Sequence, residues 1–322
     1  MKLHFNQTWV DKATTEDIAE LLASGRPSAY QGPYDIDEPI SRFATTSAAK
    51  EIARRGWISV AEKSSSTSKL LFVHGLRDLF LQKSPLVAQA ALFRGSLSMS
   101  QYDLFNQMAL LAWIAQVSKI AEQLQSVSRK SFVADSLEET DVSELVKLSR
   151  LAHGPLKAQE WLLSRGIHFI YLPGLPGMKL DGATFMLGTN VPFIAITLRY
   201  DRLDYFWFTL LHELGHVKKH LPKNANQIFV DDLEQDKLFD EIEAEANAFA
   251  RDSLIPRDLW RRSDAYRSQS KSAVLEFAKQ VGIHPAIVAG RIRHETRNYA
   301  LLTDVITDGS IRDLYAEKEV SA

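Results

Sequence analysis

The segment FTLLHELGHVKKH, residues 208–220, places metal-binding and acid–base side chains at helical spacing. His212 and His216 are four residues apart, so an α-helix brings both imidazoles to one face, where they can share an ion. Glu213 lies beside that face. In sites with this H-E-x-x-H pattern, two imidazoles hold zinc and the adjacent carboxylate takes a proton from water. A partly buried helix whose histidines are hydrogen-bonded would show the same pattern, so the surrounding sequence must distinguish the two.

A zinc hydrolase site needs a third protein ligand, and the acidic stretch EIEAEANAFA, residues 241–250, supplies candidates. In a helix, Glu243 and Asn247 share one face, whereas Glu241 and Glu245 share another. We predict Glu243 as the third ligand, with Asn247 hydrogen-bonding a metal-bound imidazole and fixing its tautomer. Glu241 and Glu245 are then expected on a solvated, charged face.

His220 follows His216 by one further helical turn. The zinc pattern with a third histidine ligand, H-E-x-x-H-x-x-G-x-x-H, needs a longer spacing and a glycine, and the sequence lacks it. Pro222 also limits the helix at this point. We therefore predict that His220 supports the site from outside the ligand set, or stabilises the helix end, where a cation is favourable.

The elements around the histidine segment indicate a small sheet followed by helices. GIHFIYLPGLPG, residues 166–177, is a short β-rich run that ends in turn residues. Residues 182–200 contain two β-prone runs around Gly-Thr-Asn, which predicts a hairpin. A polar loop at 222–237 and an acidic helix stopped by Pro256 come after the histidine segment.

The first 140 residues indicate a helical domain. Apolar helical stretches occur near 70–81, 85–94 and 100–125, and shorter helices are predicted at 14–24 and before Gly56. The Asp/Glu/Ser-rich segment VADSLEETDVSE, which begins at Val133, is a plausible boundary to the next domain.

The composition favours folded domains without thiol chemistry. The chain has 322 residues, of which 45% are hydrophobic, so two or three domains with real cores are expected. There is no cysteine, so any metal must be held by histidine, carboxylate or water. The formal net charge of -2 gives no overall attraction to nucleic acid or anionic lipid.

The first residues, MKLHFNQTWVDKATTEDI, lack the apolar core and cleavage site of a secretion signal. The most apolar stretch, residues 105–124, is interrupted by polar side chains, among them Asn106, Gln107, Gln116, Ser118 and Lys119, and is too polar to span a membrane. We therefore expect a cytoplasmic protein with no membrane partner.

Two segments resemble the ImmA/IrrE family of metallopeptidases. RLDYFWFTLLHELGHVKKH, residues 202–220, matches the family pattern F-T-x-x-H-E-x-G-H-x-x-x-H. EIEAEANAFARDSLIP, residues 241–256, is similar to E-x-E-A-N-x-F-A-x-x-L-x-P, with one residue more before Leu254. A longer run, to about residue 302, looks like antitoxin-type regulators in which this domain follows an N-terminal helix-turn-helix.

The resemblance implies a gluzincin-like fold with Zn2+ held by His212, His216 and Glu243, and with Glu213 as the general base. The predicted fold class is α+β, mostly α. A helical N-terminal domain (1–140) with a regulatory or partner-binding role precedes the metallopeptidase domain (141–262). A helical, helix-turn-helix-like segment (263–322) follows.

The segment LEFAKQVGIHPAIVAGRIRH, residues 275–294, has the small, turn and apolar residues of a helix-turn-helix at the expected steps. Arg291, Arg293 and Arg297 would line its second helix, where a basic cluster could contact nucleic acid or a partner. The alternative is a helix pair that serves packing. DNA contact is not expected without a partner.

Two functions of different classes fit these observations. The first is a zinc-dependent endopeptidase that, by resemblance, cleaves a repressor or partner protein in a stress, phage-related or toxin–antitoxin system. The alternative is a non-enzymatic, antitoxin-like transcriptional regulator with a structural or vestigial zinc site. A third possibility, in which the N-terminal helices gate a peptidase that acts as toxin or stress switch, is not separable from the first by sequence.

Overall fold

A computed structural model gives the structure of the protein. It describes residues 37–58, 66–80, 101–127, 132–133, 137–188, 190–223, 228–231, 241–306 and 311–320. The predicted helices at 14–24 and 85–94 lie outside the described residues. The described part of the chain contains no helix that is both long and apolar enough to cross a bilayer.

The chain forms two compact units. The N-terminal unit comprises Met1–Gln123 with Gly174–Leu180, and the second unit comprises Leu124–Pro173 with Asp181–Ala322. The sequence predicts three domains, with boundaries at 140 and 262. Those boundaries remain a prediction, because the two units do not correspond to them one to one.

The described elements of the N-terminal unit are helices. They are α1 (Asp37–Phe43), α2 (Ser47–Arg54), α3 (Ser66–Phe80) and α4 (Gln101–Val127), whose last residues continue past Gln123. The apolar patterns near 70–81 and 100–125 thus form helices, as predicted. The core between α1 and α3 includes an edge-to-face contact of Phe43 with Phe80, with ring centroids 5.7 Å apart.

The second unit combines a small sheet with the remaining helices. Its elements are α5 (Glu139–Lys147), a 3-10 turn (Leu148–Arg150), α6 (Gly154–Ser164), β1 (His168–Tyr171), β2 (Gly182–Leu187), β3 (Val191–Ile196), α7 (Leu203–Lys219), β4 (Phe229–Asp231), α8 (Glu241–Leu254), α9 (Arg257–Arg262), α10 (Asp264–Ser268), α11 (Lys271–Val281), α12 (Pro285–Thr296), α13 (Thr303–Ile306) and α14 (Ile311–Val320). The described structure is therefore α+β and mostly α, which confirms the predicted fold class.

The sheet has the order β1-β3-β2-β4. β1 runs parallel to β3, whereas β2 is antiparallel to both β3 and β4. The predicted hairpin is present as β2 and β3, and its turn places Gly188 at φ 59° and Asn190 at φ 65°. Glycine and asparagine tolerate the left-handed region, so Gly188 and Asn190 suit these backbone angles.

β4 corrects one expectation. The segment 222–237 is predicted as a polar loop, but Phe229–Asp231 pair with Gly182–Thr184 of β2. Ile228 and Phe229 are buried. The pattern was missed because three strand residues are too few to show a period.

α7 is the central helix of the second unit. Thirteen of its 17 residues are buried, since it packs against the sheet on one side and against α8 and α12 on others. Gly215 permits the contact with α8: a Cβ there would lie 3.1 Å from Cδ1 of Phe249 and 3.3 Å from Cα of Ala246. The glycine therefore lets the two helices approach closely.

α11 and α12 form a helix pair in the segment for which the sequence predicts a helix-turn-helix, with Gly282 at φ 81° between them. α12 packs onto the first turn of α7 at Gly290, where an added Cβ would lie 2.7 Å from Cβ of Asp204. Asp204 in turn accepts a hydrogen bond of 3.0 Å from Nε of Arg202. The helix pair thus supports the start of α7.

The last helix, α14, fixes the loop that leads into α7. Oδ1 of Asp201 accepts hydrogen bonds from the backbone N–H groups of Ile311 and Arg312, at 2.8 Å and 3.1 Å. The Arg312 guanidinium donates to the carbonyl oxygen of Leu198 at 2.7 Å and to that of Arg199 at 2.9 Å. Leu198 has a φ of 51°, so these hydrogen bonds hold a residue whose backbone is in the left-handed region.

We predict that Gly290→Ala destabilises the protein. The added methyl must displace the Asp204 side chain, and overpacking of this kind typically costs about 1–3 kcal/mol, against a helix-propensity gain of about 1 kcal/mol. Because the overlap includes Cβ of Asp204 as well as the end of its side chain, the overpacking cost should lie at about 2–3 kcal/mol, in the upper part of that range. We therefore expect a net loss of about 1–2 kcal/mol in the free energy of unfolding, measured in urea. Glu276→Ala, at an exposed position of α11, is the control, and equal stability of the two variants would contradict the prediction.

Candidate metal centre

His212 and His216 lie on consecutive turns of α7, and both side chains are fully buried. Glu243, in the first turn of α8, reaches them across the helix contact. Its Oε2 lies 3.2 Å from Nε2 of His212, and its Oε1 lies 3.6 Å from Nε2 of His216. The two Nε2 atoms are 3.1 Å apart. Three ligand-type side chains therefore converge on one point.

These separations fit a tetrahedral ion. With zinc–nitrogen and zinc–oxygen bonds of about 2.0–2.2 Å, neighbouring ligand atoms of a tetrahedral site lie about 3.3–3.5 Å apart. The two imidazole nitrogens lie 3.1 Å apart, and the nearest Glu243 oxygens lie 3.2 Å from Nε2 of His212 (Oε2) and 3.6 Å from Nε2 of His216 (Oε1), which is close to this spacing. With a single oxygen taken from Glu243, the three ligand atoms all lie within 4.8 Å of one another. Three protein ligands leave the fourth position of such a site for water or substrate.

Asn247 determines which nitrogen of His212 faces the centre. Its Oδ1 lies 3.1 Å from Nδ1 of His212. An amide oxygen can only accept a hydrogen bond, so Nδ1 carries the proton and Nε2 presents its lone pair towards His216 and Glu243.

His216 has an analogous partner in His220. The two Nδ1 atoms lie 2.9 Å apart, and Nε2 of His220 lies 3.4 Å from Oε2 of Glu245. Burial lowers the pKa of His220, and His216 lowers it further, so a neutral ring is favoured. If Nε2–H of His220 donates to Glu245, its Nδ1 accepts from Nδ1–H of His216, and Nε2 of His216 is left as an electron-pair donor.

With these tautomers, the Nε2 lone pairs of His212 and His216 both face the Glu243 carboxylate. Electron-pair donors in a buried place repel one another unless a cation or a proton lies among them. The donor set of two nitrogens and one oxygen is the one that zinc takes in many hydrolases. The residues present therefore fit a zinc ion.

Glu213 is also fully buried and faces β2. Oγ1 of Thr184 donates to its Oε2 at 2.6 Å. A Cβ added at Gly182 would overlap Oε1 of Glu213 and lie 2.7 Å from its Cδ. The Glu213 carboxylate thus occupies the space that a side chain at position 182 would fill.

Residues 164–293 match the family model of the IrrE N-terminal-like domain, Peptidase M78. Residues 164–293 are an ImmA/IrrE-family domain. Residues 164–293 include every side chain described above at the candidate metal centre. A search of curated proteins finds no match to the chain.

The arginines of the helix-turn-helix are mostly engaged within the ImmA/IrrE domain. Nη1 of Arg291 donates to the carbonyl oxygen of Ile255 at 2.8 Å. Arg293 is buried and donates to the carbonyl oxygen of Tyr299. Arg297 is exposed at the end of α12. This arrangement favours the packing alternative for the helix pair, and nucleic-acid contact remains a prediction.

Sequence reasoning did not identify the contacts that three residues make with His220, Glu213 and His216. Glu245 is predicted on a solvated face, and its side chain is 56% exposed, yet one oxygen reaches His220. Thr184 contacts Glu213. The Phe229 ring stacks on His216, with centroids 4.7 Å apart and planes at 22°. The contacts of Thr184 and Phe229 could not be predicted from spacing, because they depend on the register in which β2 pairs with β4.

We predict about one zinc per chain in the wild type, measured by elemental analysis after purification at neutral pH. His212→Ala and Glu243→Ala should each lose the metal or bind it much more weakly, because each removes one of three ligands. Glu241→Ala, which changes an exposed carboxylate of the same helix α8, should keep the wild-type content. Absence of zinc in the wild type even after supplementation would contradict the assignment of the centre.

Proposed function

We propose that this protein is a zinc-dependent endopeptidase of the ImmA/IrrE type. His212, His216 and Glu243 hold the metal, and Glu213 is the general base. The observation that carries the proposal is the convergence of His212 and His216 of α7 with Glu243 of α8, whose ligand atoms all lie within 4.8 Å of one another, beside a buried carboxylate on α7. The family of the domain, a peptidase family, supports it.

The chemistry divides between the ion and the protein. A bound zinc ion supplies Lewis-acid chemistry, which polarises a carbonyl group and lowers the pKa of water. Glu213 takes the proton from the attacking water and then delivers it to the leaving amine. Its burial among packed side chains keeps bulk water away from this proton transfer.

Asn247 and His220 hold the two imidazoles in the orientation that the metal requires. Each contacts the Nδ1 atom of one ligand, so each fixes both a tautomer and a ring angle. His220 thus acts on the metal through His216 and is not itself a ligand.

The substrate that we propose is a protein, by resemblance a repressor or partner in a stress, phage-related or toxin–antitoxin regulatory system. The N-terminal unit is then the candidate for the regulatory or partner-binding part of the chain. An antitoxin-like regulator with a non-catalytic zinc site is the alternative outcome of the activity test below.

We predict that His220→Phe weakens zinc binding by about 10–100-fold, because loss of a group that orients a ligand has effects of this size. Competition with a chromophoric chelator measures the dissociation constant. His74→Phe, at an exposed position of α3, is the matched control. An unchanged zinc affinity in His220→Phe would refute the orienting role.

We predict that Glu213→Gln retains zinc and loses cleavage. Glutamine keeps the shape of the side chain but cannot take a proton from water, and loss of a general base typically lowers the rate by about 10²–10⁴-fold. The measurement is cleavage of a proteome-derived peptide library by zinc-loaded protein, read by mass spectrometry.

Glu241→Gln, on the exposed face of α8, serves as the control and should cleave like the wild type. Undiminished cleavage by Glu213→Gln would reject the mechanism. Absence of cleavage by zinc-loaded wild type would reject the peptidase proposal and favour the non-enzymatic regulator.

A further inference from the structure

We propose that Thr184 is the positioning residue of the general base: strand β2 fixes the Glu213 carboxylate through the Thr184 hydroxyl and the bare backbone at Gly182. The inference rests on the proposed function, because it assigns Thr184 a role in that reaction. Its structural part, the dependence of Glu213 on Thr184, can be tested without any substrate.

The two contacts come from one face of β2. Side chains alternate along a strand, so positions 182 and 184 point in the same direction. At 182 the absence of a Cβ admits Oε1 of Glu213, and at 184 the hydroxyl donates to Oε2 at 2.6 Å. One oxygen of the carboxylate is therefore located by close packing and the other by a short hydrogen bond.

The strand is a firm support for this contact. Thr184 is paired on both sides, with Ile194 of β3 and with Phe229 of β4. Its side chain is completely buried, and a β-branched side chain has a restricted χ1 angle. The hydroxyl also lies 3.2 Å from the carbonyl oxygen of Glu213, but the shorter distance identifies the carboxylate as its main acceptor.

The partner of Thr184 across the ladder contacts the metal site. Side chains of directly opposed residues in an antiparallel pair project to the same face. Phe229, opposite Thr184, stacks on the His216 ring at 4.7 Å. One rung of the β2–β4 ladder thus touches both the general base and a metal ligand, which are three residues apart on α7.

The position of the carboxylate matters because a general base must lie within about 2.6–3.2 Å of the group whose proton it takes. Without the hydroxyl, Glu213 can rotate about its side-chain torsions while the metal ligands stay in place. Thr184→Val should therefore lower kcat and leave both KM and zinc content unchanged. Thr184→Ser, which keeps the donor, should restore most of the rate.

The first experiment is a double-mutant cycle on the metal-free protein. Thr184→Val and Glu213→Leu, alone and together, are unfolded in urea at neutral pH. A short, fully buried side-chain hydrogen bond should couple the two changes by about 3–30-fold in the unfolding equilibrium constant. Thr296→Val, a distant threonine whose hydroxyl bonds a carbonyl of its own helix, should show coupling of about twofold or less with Glu213→Leu. Coupling below about twofold at Thr184 would overturn the proposal.

The second experiment compares zinc-loaded wild type, Thr184→Val and Thr184→Ser on a peptide that the wild type cleaves. We expect a fall in kcat of about tenfold or more for valine, with unchanged KM and zinc content, and recovery with serine. Coupling in the cycle with an unchanged kcat would mean that Thr184 serves stability alone, which overturns its positioning role. If the wild type cleaves nothing, the proposed function fails, whereas the cycle still decides whether Thr184 holds Glu213.

Discussion

The close contact between α7 and α8 is the interaction on which the metal centre depends. Gly215 lies between His212 and His216 and faces Ala246 and Phe249 of α8. A Cβ at this position would lie 3.1 Å from Phe249 and 3.3 Å from Ala246, so α8 would have to shift by a few tenths of an ångström. Glu243 would then shift with α8 relative to the two histidines of α7. The glycine of the H-E-L-G-H segment therefore has a packing role, distinct from the chemistry of its neighbours.

The position of α7 explains why polar side chains can be buried there. Its apolar residues face the sheet, α8 and α12, so the histidines and Glu213 lie in an interior where unpaired polar groups are costly. Hydrogen bonds to neighbouring side chains reduce this cost. Asn247 partners His212, His220 partners His216, and Thr184 partners Glu213. Electrostatic interactions are also stronger in such an interior than at the surface, which suits a site for charge stabilisation.

Sequence reasoning found the parts of the site that helical spacing determines. The i, i+4 relations alone placed His212 with His216 and Glu243 with Asn247, and the structure brings all four together. The Gly-Thr-Asn turn likewise predicted the hairpin of β2 and β3 correctly. Contacts between distant segments could not be predicted in this way. Thr184 and Phe229 depend on the register of β2 with β4, and the packing of Arg291 and Arg293 depends on how α12 lies in the fold.

The hydrogen bonds between α14 and the loop before α7 show that the folded unit extends beyond the residues that match the family model. The match ends at residue 293, whereas Asp201 caps a helix that begins at Ile311. Tyr315 of that helix is buried and stacks on Phe169 of β1, with ring centroids 5.7 Å apart. A fragment cut at the family boundary would expose this aromatic surface of the sheet and release the Leu198 backbone. The segment that matches the family model is therefore shorter than the segment that must fold together to hold α7 in place.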